Sequence, residues 1–288
     1  MLSSVPWADA QAGASAGLDA SAVVELLDQV EQLPSGATGA LLVGPRAQPC
    51  GSVLVENGRV CWAMANGMKR RMTDLLRYQA LTPLDPAQIE DVYKHCRARG
   101  IALGEALVES GIVSPDGLRR ALRQHTAEAM ERLSLSTQEL SWVEHRKRAY
   151  DARFTFVPGE ILVGLVGLRM SVRAAHAQAT LRLAVDVPNA GAAFARVQGA
   201  AFPLPVAATG METLPVRELV GIGRWAMDTL DLAGAFEPER RLVGAVADTG
   251  RALLTWLDEG LVYVAVCEDP SEFACALVKL RRTHRSAK

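Results

Sequence analysis

Residues 241–267 read RLVGAVADTGRALLTWLDEGLVYVAVC, three apolar runs cut by two short turns. Leu242 to Ala247, Ala252 to Leu257 and Leu261 to Cys267 each have strand length. Asp248-Thr249-Gly250 and Asp258-Glu259-Gly260 between them are turn sequences, because Asp and Gly tolerate the backbone angles a hairpin needs. An antiparallel sheet follows. In the last run both alternating sets are apolar, Leu261, Tyr263, Ala265 and Cys267 on one side and Val262, Val264 and Val266 on the other, so this strand needs cover on both faces. Helices or a second subunit must supply that cover, which points to an interaction module rather than a catalytic cleft.

The neighbouring sequence supplies helices. Pro215 to Leu232 carries Val216, Leu219, Val220, Gly223, Met227 and Leu230 on one broad stripe. Asp269, Pro270 and Glu272 form an N-cap, a first-turn proline and a capping box for a closing helix. Upstream, helical spacing predicts helices over Ser171 to Val185 and over Ala190 to Val197. Pro203 and Pro205 bracket an edge-type strand, Val206 to Thr209, since proline cannot donate within a central ladder.

The N-terminal half changes period repeatedly. Residues 1–17, rich in Ala, Ser and Gly, bury little. Asp19 or Ser21 can cap a helix bearing Val23, Val24, Leu26, Leu27 and Val30. Thr38 to Val43, Gly51 to Glu56 and Arg59 to Ala65 read as strands, the last two joined at Asn57-Gly58. Three helices are expected next: from Pro86 to Gly100, over Leu103 to Ser110, and from Ser114-Pro115 through Leu118, Ala121, Leu122, His125 and Ala129. Between 136 and 160 the signals conflict. Ser136 and Glu139 have capping-box spacing, whereas Trp142, Phe154 and Phe156 suggest strands.

At 288 residues the chain has room for two domains. With 49% hydrophobic residues, 22% charged residues and a formal net charge of −1, it has an ordinary globular composition that gives no support to DNA binding. Five scattered cysteines without a Cys-x-x-Cys argue against a disulfide framework or structural zinc and fit a cytoplasmic setting. The first 17 residues lack the features of a signal peptide, and the longest apolar run, Ile161 to Leu168, is too short to span a membrane. Neither a P-loop nor a Gly-x-Ser-x-Gly elbow is present, which favours a non-enzyme without a cofactor. Gly221-x-Gly223-x-x-Ala226 matches a dinucleotide fingerprint in letters only, because it lies inside a helical pattern. His95-Cys96 has no second metal-ligand pair at useful spacing, and the basic runs Lys69-Arg70-Arg71 and His145 to Arg148 read as solvated surface.

Thr38-Gly39-Ala40-Leu41, the Gly51 to Gly58 hairpin, Val60 to Ala63 and Leu103 to Glu109 together resemble the bacterial PATAN domain over about residues 18–165. That resemblance implies an adaptor joined to signalling domains. Residues 170–288 resemble a Roadblock domain in element order and in the run from Asp248-Thr249-Gly250 to Leu280. This second resemblance implies a sheet flanked by helices and a homodimer formed through a central helix and a neighbouring strand. The central helix here is Pro215 to Leu232, with Val216, Leu219, Val220, Gly223, Met227 and Leu230 as its interface candidates, and a small Ras-like GTPase or another signalling protein is the implied partner. Leu103-Gly104-x-x-Leu107-Val108-x-x-Gly111 with Leu118, Leu122 and His125 is similar to the cyclic-di-GMP-binding repeat of secretion-ATPase N-terminal domains, although Ala102 and His125 replace its Arg and Gln and one copy is present rather than two. Helix packing accounts for the same leucines and glycines.

The expectation is therefore an α+β chain of two domains acting as a non-enzymatic signalling adaptor. The alternatives are a nucleotide second-messenger sensor using Leu103, Gly104, Leu107, Gly111 and His125, and a structural scaffold.

Overall fold

Alternation and turn chemistry place the first three strands where the sequence reading puts them: β1 is Thr38–Val43, β2 is Gly51–Glu56 and β3 is Arg59–Ala65. The structure is a computed structural model that describes residues 19–80, 86–99, 103–135, 139–145, 150–184, 190–197, 200–232, 242–246 and 252–267. The expected closing helix after Asp269, the turn at Asp248-Thr249-Gly250 and the N-terminal segment 1–17 lie outside the described residues.

Helix α1 (Ala20–Glu31) begins where the Asp19 carboxylate accepts the Ala22 N–H at 3.1 Å. The β2–β3 turn puts Asn57 at φ 54° and Gly58 at φ 72°, the left-handed pair that a two-residue hairpin requires. After β3 come α2 (Met72–Gln79), α3 (Pro86–Arg99), α4 (Leu103–Glu109) and α5 (Pro115–Ser134), whose N-cap Ser114 accepts the Gly117 N–H at 3.0 Å. Strand β4 (Leu140–Glu144) then pairs antiparallel with β1, setting Trp142 opposite Leu41. Among the described residues of the segment that the sequence left open, one strand forms, and Phe156 makes an isolated bridge to Val60. The first sheet is antiparallel with order β3-β2-β1-β4.

Helix α6 (Pro158–Arg169) joins the two halves. Between Glu160 and Arg169 it is apolar all round, so it carries no amphipathic period to be read, and Ile161, Leu162, Leu165 and Val166 are all buried. It packs on both α5 and β6 (Leu204–Thr209). The boundary expected between 165 and 170 falls at its end, and one buried cluster runs through both sheets.

Helix α7 (Ser171–Ala184) leads to β5 (Gly191–Ala195), where helical spacing had predicted a helix over Ala190 to Val197. The physical reason for this correction is tertiary. β5 is a central strand with hydrogen-bonded neighbours on both sides and every residue buried, a gain that overrides the helix preference of alanine. Helix α8 (Val216–Leu232), β7 (Leu242–Val246), β8 (Ala252–Asp258) and β9 (Leu261–Cys267) complete a second antiparallel sheet of order β6-β5-β9-β8-β7. The β8–β9 turn again uses two left-handed residues, Glu259 at φ 45° and Gly260 at φ 72°.

The chain itself covers β9 on both faces. Tyr263 and Ala265 belong to the cluster shared with α1, α6 and α7, and Tyr263 stacks on Trp256 at 4.9 Å. Val262 and Val264 pack with Leu219, Ala226, Met227 and Leu230 of α8. Each large aliphatic side chain buried this way contributes roughly 1.5–3 kcal/mol. Among the described residues, no helix is long and apolar enough to cross a membrane.

Candidate functional site

The spacing of Arg119, Arg120 and Arg123 sends three guanidiniums from adjacent turns of α5 towards α6 and α2. Their fates differ. Arg119 donates to the Thr155 carbonyl at 3.1 Å, to the Arg153 carbonyl and to Glu160, and it lies 4.7 Å over the Phe156 ring. Arg59, from β3, donates to Thr155 Oγ1 at 2.7 Å and to the Thr155 carbonyl at 2.9 Å. Glu160 also accepts the Val157 N–H at 3.2 Å, closing a capping interaction at the start of α6, so its oxygens are already engaged. Arg120 donates to Gln79 Oε1 at 3.1 Å.

Arg123 has no hydrogen-bond or ion-pair partner among the described residues. Burial pulls its pKa below the ordinary arginine value; the charges of Glu160 and Glu212 oppose that shift, while Arg119 and Arg120 add to it. Its stem crosses α6 at Gly164, where a Cβ would lie 3.4 Å from Arg123 Cδ. The guanidinium faces a cavity of about 350 Å³ between α5, α6, α7 and β6, within the size range of small-molecule sites. Glu212, in the turn Met211–Thr213 after β6, lines the same cavity, and its Oε2 is buried without a hydrogen-bond partner. Gln124 and Gln178 add carboxamides; the Gln178 Nε2 donates to Thr209 Oγ1 at 3.2 Å. Guanidinium, carboxamide and carboxylate are groups that can engage a polar ligand by charge and hydrogen bonds. Among the described residues, no group of three His, Cys, Asp or Glu could hold a metal ion.

The nucleotide candidates do not converge on one site. Leu107 is buried with Leu75, Leu76, Val113, Leu118 and Ala121 in a cluster beneath α2, and Gly104 sits against Leu118. Gly111 ends α4 with φ 68°, a turn role, and Leu103 is the first residue of α4. His125 lies two turns beyond Leu118 on α5, where its ring stacks on Trp62 of β3 at 4.4 Å. Burial lowers its pKa, against the nearby Glu128 charge and a hydrogen bond to the Ala63 backbone. It is a core histidine of the first sheet.

The six interface candidates on α8 are also placed differently. Val216, Leu219, Val220, Met227 and Leu230 are buried by the chain's own sheet and helices. A Cβ on Gly223 would come within 2.5 Å of the Phe194 ring, so this glycine makes room for β5 rather than for another copy. The outward face of α8 is formed by Arg217, Gly221, Arg224, Trp225 and Asp228, with Trp225 36% exposed and Leu232 90% exposed. β7, at the sheet edge, lies beside it.

Elsewhere, Arg70 of the first basic run pairs with Glu128 at 2.9 Å, and residues 146–149 lie outside the described residues. Sequence reasoning missed Arg120, Arg123, Gln178 and Glu212, which come from three separate segments. The available signal was Arg123 at i+4 from Arg119, one turn before the apolar positions Ala127 and Met130. Comparison with protein-family models, with curated proteins and with solved structures finds no match to this chain.

Proposed function

We propose that this chain is a cytoplasmic, non-enzymatic adaptor in which a PATAN-like unit is joined to a Roadblock-like unit that pairs with a second copy and regulates a small Ras-like GTPase or another signalling protein by contact. The observation that carries this reading is the placement of α8 across one face of the second sheet, beside the edge strand β7, with Trp225 outward. A central helix and an adjacent sheet edge are the two elements through which the Roadblock resemblance implies dimerisation. The outward residues Gly221, Arg224 and Trp225, and not the buried stripe, are the contacts available to a partner. Gly221 has open space where a Cβ would stand, so a facing helix can come close.

Regulation of a switch protein requires contacts that differ between its states. The test measures the solution mass of the full chain and of Trp225→Glu by light scattering, together with nucleotide exchange and hydrolysis rates of the host's Ras-like GTPases. A dimer that becomes a folded monomer in the variant, with at least one GTPase rate changed by the wild-type chain, supports the reading. Unchanged rates for every GTPase remove its regulatory part, and a wild-type monomer removes the pairing.

A further inference from the structure

We infer that the cavity between α5, α6, α7 and β6 is a binding site for a small molecule that joins an oxyanion to an N–H or ammonium donor, with Arg123 receiving the oxyanion and Glu212 the donor. This inference is independent of the adaptor reading.

One cavity is lined by a half-buried guanidinium without a protein partner among the described residues and by a buried carboxylate oxygen without a donor. A guanidinium carries five donors and a permanent charge, and a partly buried one without a partner is costly, since neither water nor protein fully compensates the lost solvation. Arg123 is such a group, and its neighbours aggravate the cost: Arg119 and Arg120 stand together on the preceding turn, while the carboxylate of Glu160 is occupied by Arg119 and the Val157 N–H. Glu212 has the opposite deficit, a buried carboxylate oxygen with no donor. The two side chains do not pair with each other. A bare anion would answer Arg123 but be repelled by Glu212, and a bare cation would meet the reverse arrangement. A ligand carrying both groups satisfies both.

The rest of the cavity suits this class. Arg forks match carboxylate and phosphate oxygens in two-point geometry. Arg120, tied through Nε to Gln79, keeps its terminal nitrogens for a second oxyanion contact. Gln124 and Gln178 offer amides that can accept or donate. Gly164 and Gly167 line the α6 side without side chains, and a Cβ at Gly167 would stand 3.1 Å from the Val206 carbonyl, so glycine there keeps the helix close to β6. Because the walls come from helices of both halves, a ligand held between α5 and the α7–β6 side would favour the arrangement in which the two halves are packed together.

Two sources share this chemistry, amino acids and nucleoside monophosphates, and the experiment separates them. The full-length chain is melted with a pool of the twenty L-amino acids, with a pool of nucleoside monophosphates, and with inorganic phosphate as an oxyanion without an N–H donor. A ligand present at about a hundred times its dissociation constant should raise the melting temperature by roughly 5 °C or more. One of the two pools is expected to do so and phosphate is not. Arg123→Gln and Glu212→Gln are run in parallel: each should fold, with apo melting at or above that of the wild type, and each should lose at least tenfold in affinity for the active pool component by calorimetry. No shift with either pool, a shift by phosphate that Glu212→Gln leaves intact, or an Arg123→Gln variant that melts lower yet binds normally each overturns the inference, the last by showing that Arg123 serves the fold alone.

Discussion

Both carboxylate oxygens of Glu31, the last residue of α1, accept the backbone N–H of Val216, the first residue of α8, at 2.9 and 3.0 Å. A residue 185 positions away thus caps the helix that covers the second sheet, and Asp28 reinforces the contact through Arg217 at 2.8 Å. Helix α1 therefore holds the N-terminus of α8.

Removing that cap in Glu31→Ala should cost about 1 kcal/mol, the usual value of an N-terminal cap, measured by urea unfolding at pH 7. Glu31→Gln keeps an acceptor without the charge and should be neutral or stabilising. Burial raises the Glu31 pKa above its ordinary 4.5, the Val216 bond lowers it and Asp28 raises it again. The folded state therefore favours the protonated carboxyl. The stabilisation Glu31 supplies relative to Gln should be complete below the unfolded value near 4.5 and be lost as pH rises through the higher folded value. An advantage of wild type over Glu31→Gln that grew with pH would contradict the assigned environment.

Two glycines on α8 should respond with opposite signs. Gly223→Ala puts a methyl 2.5 Å from the Phe194 ring, and overpacking of this kind costs about 1–3 kcal/mol. Gly221→Ala meets open space on the outer face and removes the entropy cost of a helical glycine, a gain of about 0.5–1 kcal/mol. Thermal unfolding at low protein concentration, where pairing of copies contributes least, reads both changes. Equal effects would mean that α8 is rotated from the orientation described.

His125 should make the chain sensitive to mild acid. Its pKa is held below the ordinary 6.5 by burial, so the folded state prefers the neutral ring. Stability from this residue is fully present above the unfolded value and is lost as pH falls below about 6.5 towards the folded pKa. His125→Phe preserves a ring on Trp62 and should flatten the unfolding profile between pH 7.5 and 5.5, at a constant cost for the lost bond to Ala63. An unchanged profile would place the titrating group elsewhere.

Cys61 should resist thiol reagents in the native state. Burial first, and then the charge of Glu56, push its pKa up to about 12, so little thiolate exists at pH 8. None of the four described cysteines is in a disulfide, and Cys50, half-buried, should alkylate first. Mass-spectrometric mapping after brief iodoacetamide treatment, with and without urea, distinguishes the two.

The strands of both hairpins, their two-residue turns, and the starts of α1 and α5 were legible because they depend on neighbours: side-chain alternation, left-handed glycines and caps act within a few residues. The alternation of β9 also required cover on both faces without naming what supplies it. Only tertiary structure decided that β5 is a strand, that α6 is a buried bridge, that the apolar stripe of α8 faces its own sheet, and that Arg123 and Glu212 share a cavity. Each of these depends on surfaces from distant segments meeting, where burial of an alanine tract or isolation of a charge outweighs any local preference.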